Sequence, residues 1–252
     1  MKSVLVTLIF CFLIFSSLFS QEDINTLIAN GDSLFSAFDN QGALEYYQKA
    51  YDLDSTNYEV CWKLSRGYVD VGETFEDDPR AEYYQKGNLY GQKAVELNPD
   101  GAKGHLRLSI AIGRVALDAG AKERVRLSKE IKKEVDLAIK LDPNDDIAYH
   151  VLGRWNRKLA NLSWIERGFA NMFLGGVPEE ASEENAAAAF KKAIEINPNY
   201  INHHLELGMT YEMMDMEEEA IAEYQKCLNL PKSSAADDGH KATAKEKLDD
   251  LL

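Results

Sequence analysis

Five stretches of this chain end in the same way. QKAYDLDS closes at Ser55, QKAVELNP at Pro99, DLAIKLDP at Pro143, KKAIEINP at Pro198 and QKCLNLP at Pro231. Each reads as the tail of an amphipathic helix. Four of the five stop at a proline, which lacks an amide hydrogen and clashes with the preceding turn. A chain that ends helices so regularly is built as an array of like units. The ends are spaced by 44, 44, 55 and 33 residues, against about 34 for a helix-turn-helix repeat. Three units therefore carry insertions.

The last unit shows the repeat pattern most openly: Leu207-Gly208, then Tyr211, Ala220, Tyr224 and Cys227. These match the L-G-x2-Y and A-x3-F columns of the tetratricopeptide (TPR) repeat. Gly31, Ala43, Tyr47 and Ala50 stand at the same offsets in the first unit. Small residues are needed where two helices cross closely, and large ones fill the space beside them. The expected fold is all-α: a TPR-like α-solenoid of five helical hairpins winding into a right-handed superhelix. The repeats are placed at 24–55, 58–98, 102–142, 146–197 and 201–230, with insertions inside the middle three. A single hairpin cannot bury its own apolar face, so the stack needs a polar cap. Residues 234–252 supply a capping helix.

The run LGRW at 152–155, followed by LSWIERGFANMFLGGVPEEASEENAAAAFKKAIEINPNY at 162–200, resembles the regulator of microtubule dynamics family. Residues 104–145 are similar to that family's middle repeat, and the resemblance covers about 60–230. It implies a helical, TPR-like interaction protein in a family linked to microtubules or organelle contacts.

Composition narrows the partners. The formal charge of −14 is wrong for a general nucleic-acid binder, which must displace counterions from phosphate. TPR columns two, five, nine, twelve and thirteen of each unit face a concave groove. They are occupied here by Trp62, Arg66, Lys103, Leu106, Arg114, His150, Arg154, Arg157, Lys158 and Asn202. A basic strip on an acidic chain suits an acidic peptide or a chain terminus, because arginine pairs carboxylates bidentately. The alternative is that these arginines pair with acidic neighbours in adjacent repeats. Inside the long insertion Trp164, Ile165, Phe169, Met172 and Phe173 recur at helical spacing. Such a stripe either folds back over the solenoid or faces a partner or membrane.

No catalytic or cofactor constellation is visible. His105, His150, His203, His204 and His240 have no metal-ligand spacing, and no nucleophile elbow or glycine-rich phosphate loop occurs. The expected function is non-catalytic protein binding, with neither cofactor nor metal.

Residues 1–20 read as a secretory signal peptide: Lys2, then an apolar run, then Ser20 before Gln21. An exported chain would not meet tubulin, so microtubules are not carried over as its partner. The rival is an uncleaved leader anchoring a membrane scaffold that also uses the amphipathic insertion 162–174. Sequencing the N-terminus of the purified protein separates them: Gln21 is the expected result, and Met1 would mean an anchor.

Overall fold

The computed structural model describes residues 23–173, 176–178 and 180–252. The leader expected at 1–20 lies outside them. The described residues form twelve helices and no strand. Helices α1 (Ile24–Ser36) and α2 (Asn40–Leu53) make the first hairpin, α3 (Tyr58–Gly72) and α4 (Arg80–Leu97) the second, and α5 (Ala102–Val115) and α6 (Ala121–Leu141) the third. Next come α7 (Asp146–Ala160), α8 (Trp164–Phe173) and α9 (Glu183–Ile196), with α7 packing on α9 and α8 on α6. Helices α10 (Ile201–Met213) and α11 (Glu217–Asn229) form the fifth hairpin, and α12 (Asp237–Leu251) packs on both. The protein is an all-α, TPR-like solenoid.

Each hairpin is held at one helix crossing. The eighth residue of each first helix is Gly31, Ser65, Ser109, Gly153 or Gly208, all buried. Opposite them the second helices supply Ala50, Ala94, Ala138, Ala193 and Cys227, none more than 1% exposed. One turn earlier in those second helices stand Tyr47, Gly91, Val135, Phe190 and Tyr224. The two sets compensate. Where the first helix has glycine, the second lays an aromatic ring on its backbone. A β-carbon added at Gly31, Gly153 or Gly208 would lie 2.5, 2.7 or 2.6 Å from the ring of Tyr47, Phe190 or Tyr224. Where the first helix has serine, the second has only Gly91 or Val135 to oppose it. A β-carbon on Gly91 would come 3.1 Å from the Ser65 hydroxyl and 2.9 Å from the α-carbon of Leu108 in the next hairpin.

The turns between hairpins are equally uniform. The backbone N–H groups of Asp54, Asn98, Asp142 and Asn197 donate to the carbonyls of Ala50, Ala94, Ala138 and Ala193, closing the second helix. Three residues on, Asn57, Gly101, Asp145 and Tyr200 donate back to the carbonyls of those four. Side chains of Asp54, Asn98 and Asp142 accept the amide two residues ahead, the local bond that makes Asp and Asn turn-formers. His105 and His204 staple a first helix to this turn. Their Nε2 atoms lie 2.8 and 2.9 Å from the carbonyls of Pro99 and Pro198, and their Nδ1 atoms 2.6 Å from Glu134 and Glu223.

The crossing makes a direct prediction. Gly153→Val forces the Phe190 ring away and should lower stability by about 2–3 kcal/mol. Adding Phe190→Val should recover part of that loss. Urea denaturation of the two single variants and the double variant reads the coupling, and additive losses would contradict the crossing.

A candidate binding groove along the first helices

Helices α3 and α5, α5 and α7, and α7 and α10 touch one another directly, whereas the second helices meet mainly the first helices on either side. The first helices therefore converge on an inner face. Helical periodicity puts Arg66, Asp70 and Glu73 on one stripe of α3, Lys103, Arg107 and Arg114 on α5, and Arg154 and Arg157 on α7.

Most of these charges are bound across the stack. Lys103 reaches Asp145 at 2.6 Å, Arg114 pairs with Glu73, and Arg157 and Arg154 converge on Glu206 of α10. Arg157 also donates to the Glu206 carbonyl at 3.0 Å. Arg66 lies 3.5 Å over the Phe35 ring and donates to the Tyr47 hydroxyl, with Trp62 beside it at 5.5 Å. The reading in which these arginines pair with adjacent repeats thus describes Lys103, Arg114, Arg154 and Arg157. Such pairs still gather arginine on this face. The cations of α3, α5 and α7 on it number six, and the same columns add Asp32, Glu59 and Glu212 to the carboxylates at Asp70, Glu73, Asp145 and Glu206.

Three groups in the centre are not committed. Among the described residues Arg107 makes no hydrogen bond or ion pair, and its Nε is buried without a partner. Asp70 stands within its field, as does the hydroxyl-bearing ring of Tyr200, the residue before α10. Asp70 remains partly open to water, yet burial on the crowded inner face raises its carboxyl to about 6, opposed first by the attraction of Arg107. Burial likewise pushes the Tyr200 phenol up to about 12. Arg107 was absent from the residues expected from the TPR columns. Its i+4 spacing from Lys103 is the sequence signal that marks it.

Two expected groove residues are buried away from the inner face. Leu106 is wholly buried in the seam between hairpins. His150 is buried against the Phe190 ring and 3.0 Å from His203, and its pKa is driven down by burial. No ligand in the groove would meet either side chain. Lys158 is exposed, and its charge acts on Glu166 of α8. Asn202 is half-buried at the start of α10.

The LGRW run divides its work among four side chains. Leu152 packs in the seam, Gly153 receives Phe190, Arg154 faces Glu206, and the Trp155 indole donates to the Ser128 carbonyl at 2.8 Å. Ser163 and Glu166 form a reciprocal capping box at the start of α8, and Glu166 also binds Arg124 at 2.9 Å. Leu162, Glu166 and Ala170 are therefore the buried side of the insertion. Trp164, Ile165 and Met172 point outward, Trp164 being 83% exposed. Phe169 is half-buried. The side chain of Phe173 lies outside the described residues.

Among the described residues no group of three or more His, Cys, Asp and Glu side chains is placed to hold a metal ion. Cys61 and Cys227 are free and buried, their thiols pushed up to about 11 and 12 by desolvation. No described helix is long and apolar enough to cross a membrane.

The profile of the family described as Regulator of microtubule dynamics protein 1-3 matches residues 27–252. Regulator of microtubule dynamics protein 1 of Caenorhabditis elegans is 27% identical over 209 residues, covering 83% of this chain and 92% of that protein. Regulator of microtubule dynamics protein 3 of Rattus norvegicus is 28% identical over 187 residues, covering 71% of this chain but 38% of its own length. A thermophilic TPR protein of Thermus thermophilus, whose crystal structure is known, superposes with a TM-score of 0.65 over 91% of this chain and all of that one, at 18% identity. That likeness concerns the fold.

Asp70 sets a pH test. A carboxyl raised above its unfolded value destabilises the folded chain when ionised, and the cost disappears as pH falls through 6 towards 4. Asp70→Asn should therefore raise stability at pH 8 by about 1–2 kcal/mol, water screening included. At pH 4 the two proteins should unfold at the same urea concentration.

Proposed function

The chain belongs to the regulator of microtubule dynamics family, and from that premise we propose that it is a non-catalytic protein-interaction scaffold whose inner face takes acidic peptides. One observation carries the reading: a strongly acidic chain gathers five arginines, Arg66, Arg107, Arg114, Arg154 and Arg157, on its converging first helices. Two further supports are the TPR-like fold and the family membership. The relatives' names refer to microtubule dynamics. If the leader exports this chain, its partners are proteins outside the cytosol and tubulin is not among them.

A second reading draws on α8. Trp164, Ile165 and Met172 form an outward apolar patch on a helix whose other side is bound to the solenoid. An uncleaved leader together with this patch would hold the scaffold at a membrane surface. Flotation with liposomes separates the readings: residues 21–252 should stay with the soluble fraction under the first, and float in a Trp164-dependent way under the second.

The groove is tested with an array of C-terminally amidated decapeptides of varied charge. Acidic peptides should bind, with affinity falling as salt rises, and Arg154→Glu should weaken the best of them by at least about tenfold. Binding that ignores peptide charge would reject the groove.

A further inference from the structure

One hydrogen-bonded chain crosses from the fourth hairpin to the fifth, and it is built mainly from groups that change charge. Asp146 opens α7, and its Oδ2 accepts from Asn197 Nδ2 at 2.9 Å and from His203 Nε2 at 3.0 Å. Burial opposes its charge, yet those two bonds keep the carboxyl below its usual range. His203, on α10, turns its other nitrogen back to α7, where Nδ1 lies 3.0 Å from Nδ1 of His150. A carboxylate only accepts, so His203 carries its hydrogen on Nε2. Between the two Nδ1 atoms there is then room for a single hydrogen, donated by one ring and accepted by the other. Burial drives both imidazoles below their ordinary range, against the pull of Asp146 on His203. At pH 7.5 both rings are therefore neutral, and His150 donates to His203. The surroundings reinforce this. His203 is wholly buried and His150 nearly so. The Phe190 ring of α9 and the Tyr200 ring of the preceding turn lie 5.5 and 6.4 Å from the His150 ring, and Tyr200 lies 4.6 Å from His203. The charges acting on His150 are Arg154 and Arg157 of its own helix and Arg114 of α5, while His204 repels a proton on His203.

We propose that Asp146, His203 and His150 form an acid-sensitive latch between the fourth and fifth hairpins, which holds while the two imidazoles share one hydrogen and loosens when acid gives each its own. A first proton fits the same geometry only by making His203 a wholly buried cation, which burial disfavours even beside Asp146. A second sets N–H against N–H across 3.0 Å, and α10 must move off α7. Histidines that the closed junction holds neutral take up protons when it opens, so closure weakens as pH falls through about 6.5. Between pH 7.5 and 5.5 each histidine contributes up to about tenfold to the opening constant. The earlier junctions are spanned differently, by Asp32 with Lys63, Glu73 with Arg114 and Lys103 with Asp145. His105 and His204 each face a carboxylate, which a proton on the ring suits. Among the described residues only His150 and His203 set one imidazole against another. Arg154 and Arg157 still reach Glu206 across the same junction. Acid thus loosens the last hairpin and α12 without releasing them.

The test follows amide hydrogen exchange of the full chain by mass spectrometry at pH 7.5 and 5.5, with each rate divided by the intrinsic rate at that pH. Peptides from α10, α11 and α12 should lose at least about tenfold in protection at the lower pH, relative to peptides from α3 and α4. Asp70 titrates in the same range with the opposite sign, so the comparison is repeated with Asp70→Asn and should give the same loss. In the double variant His150→Gln with His203→Gln, the amides still donate and accept but take up no proton. Whatever its starting level, protection of α10, α11 and α12 in that variant should change by less than about threefold between the two pH values. A full acid loss that persists in the double variant assigns the effect to another group and overturns the latch. Wild-type protection that stays level across the range does the same. Nitrogen-15 spectra of the imidazoles supply an independent reading at pH 7.5. His150 should carry its hydrogen on Nδ1 and His203 on Nε2, and a charged ring at either position, or His150 protonated on Nε2 alone, would break the chain as drawn.

Discussion

An aromatic ring can rest flat against a helix backbone only where that backbone carries no β-carbon. Three of the five hairpins are built on that contact, at Gly31 with Tyr47, Gly153 with Phe190 and Gly208 with Tyr224. The other two reach the same close approach by making both sides small or slender. The crossing sets the angle of each hairpin, and that angle decides which residues of the first helix turn inward. Stacking follows, since no hairpin buries its outer apolar seam without the next. The inter-hairpin turns, closed by the same two backbone bonds at four places, keep successive units in one orientation.

The inner face serves two purposes at once. Arg114–Glu73, Lys103–Asp145 and Arg157–Glu206 run between successive first helices and hold the stack together. Their cations also bring arginine and lysine to a face that carries many carboxylates. Partly buried pairs with further hydrogen bonds, such as Arg157 with Glu206 and its carbonyl, cost much more to break singly than exposed ones. A substitution there perturbs both the stack and any ligand. Arg107 differs, because its side chain makes no hydrogen bond or ion pair among the described residues, although its charge offsets part of the burial of Asp70.

The solenoid was legible in the sequence because its constraint is local: small residues at fixed offsets, and a helix stop before each new unit. Gly208 with Tyr224 and Gly31 with Tyr47 showed it plainly. Ser65 and Ser109 did not, since their partners Gly91 and Val135 carry no aromatic ring and so depart from the repeat's residue types. The columns named Arg66, Lys103, Arg114, Arg154 and Arg157, whose aromatic contacts and ion pairs the structure supplies. His150 lay beyond such reasoning, because Phe190 and His203 bury it from two other helices. The insertion shows the same limit. Its aromatic stripe suggested which side would pack, but the capping box of Ser163 and Glu166 and the Arg124 pair rotate α8 so that Leu162 and Ala170 face inward.

The compensating crossings also govern how such a chain can be re-engineered or diverge. A first helix with glycine at its eighth position fits only beneath a ring, and one with serine fits only opposite a slim partner. Hairpin halves are thus keyed to each other, and grafting the front helix of the second unit onto the back helix of the fourth would jam the lock. Duplicated units can drift apart only by paired exchanges in which each half still fits the other.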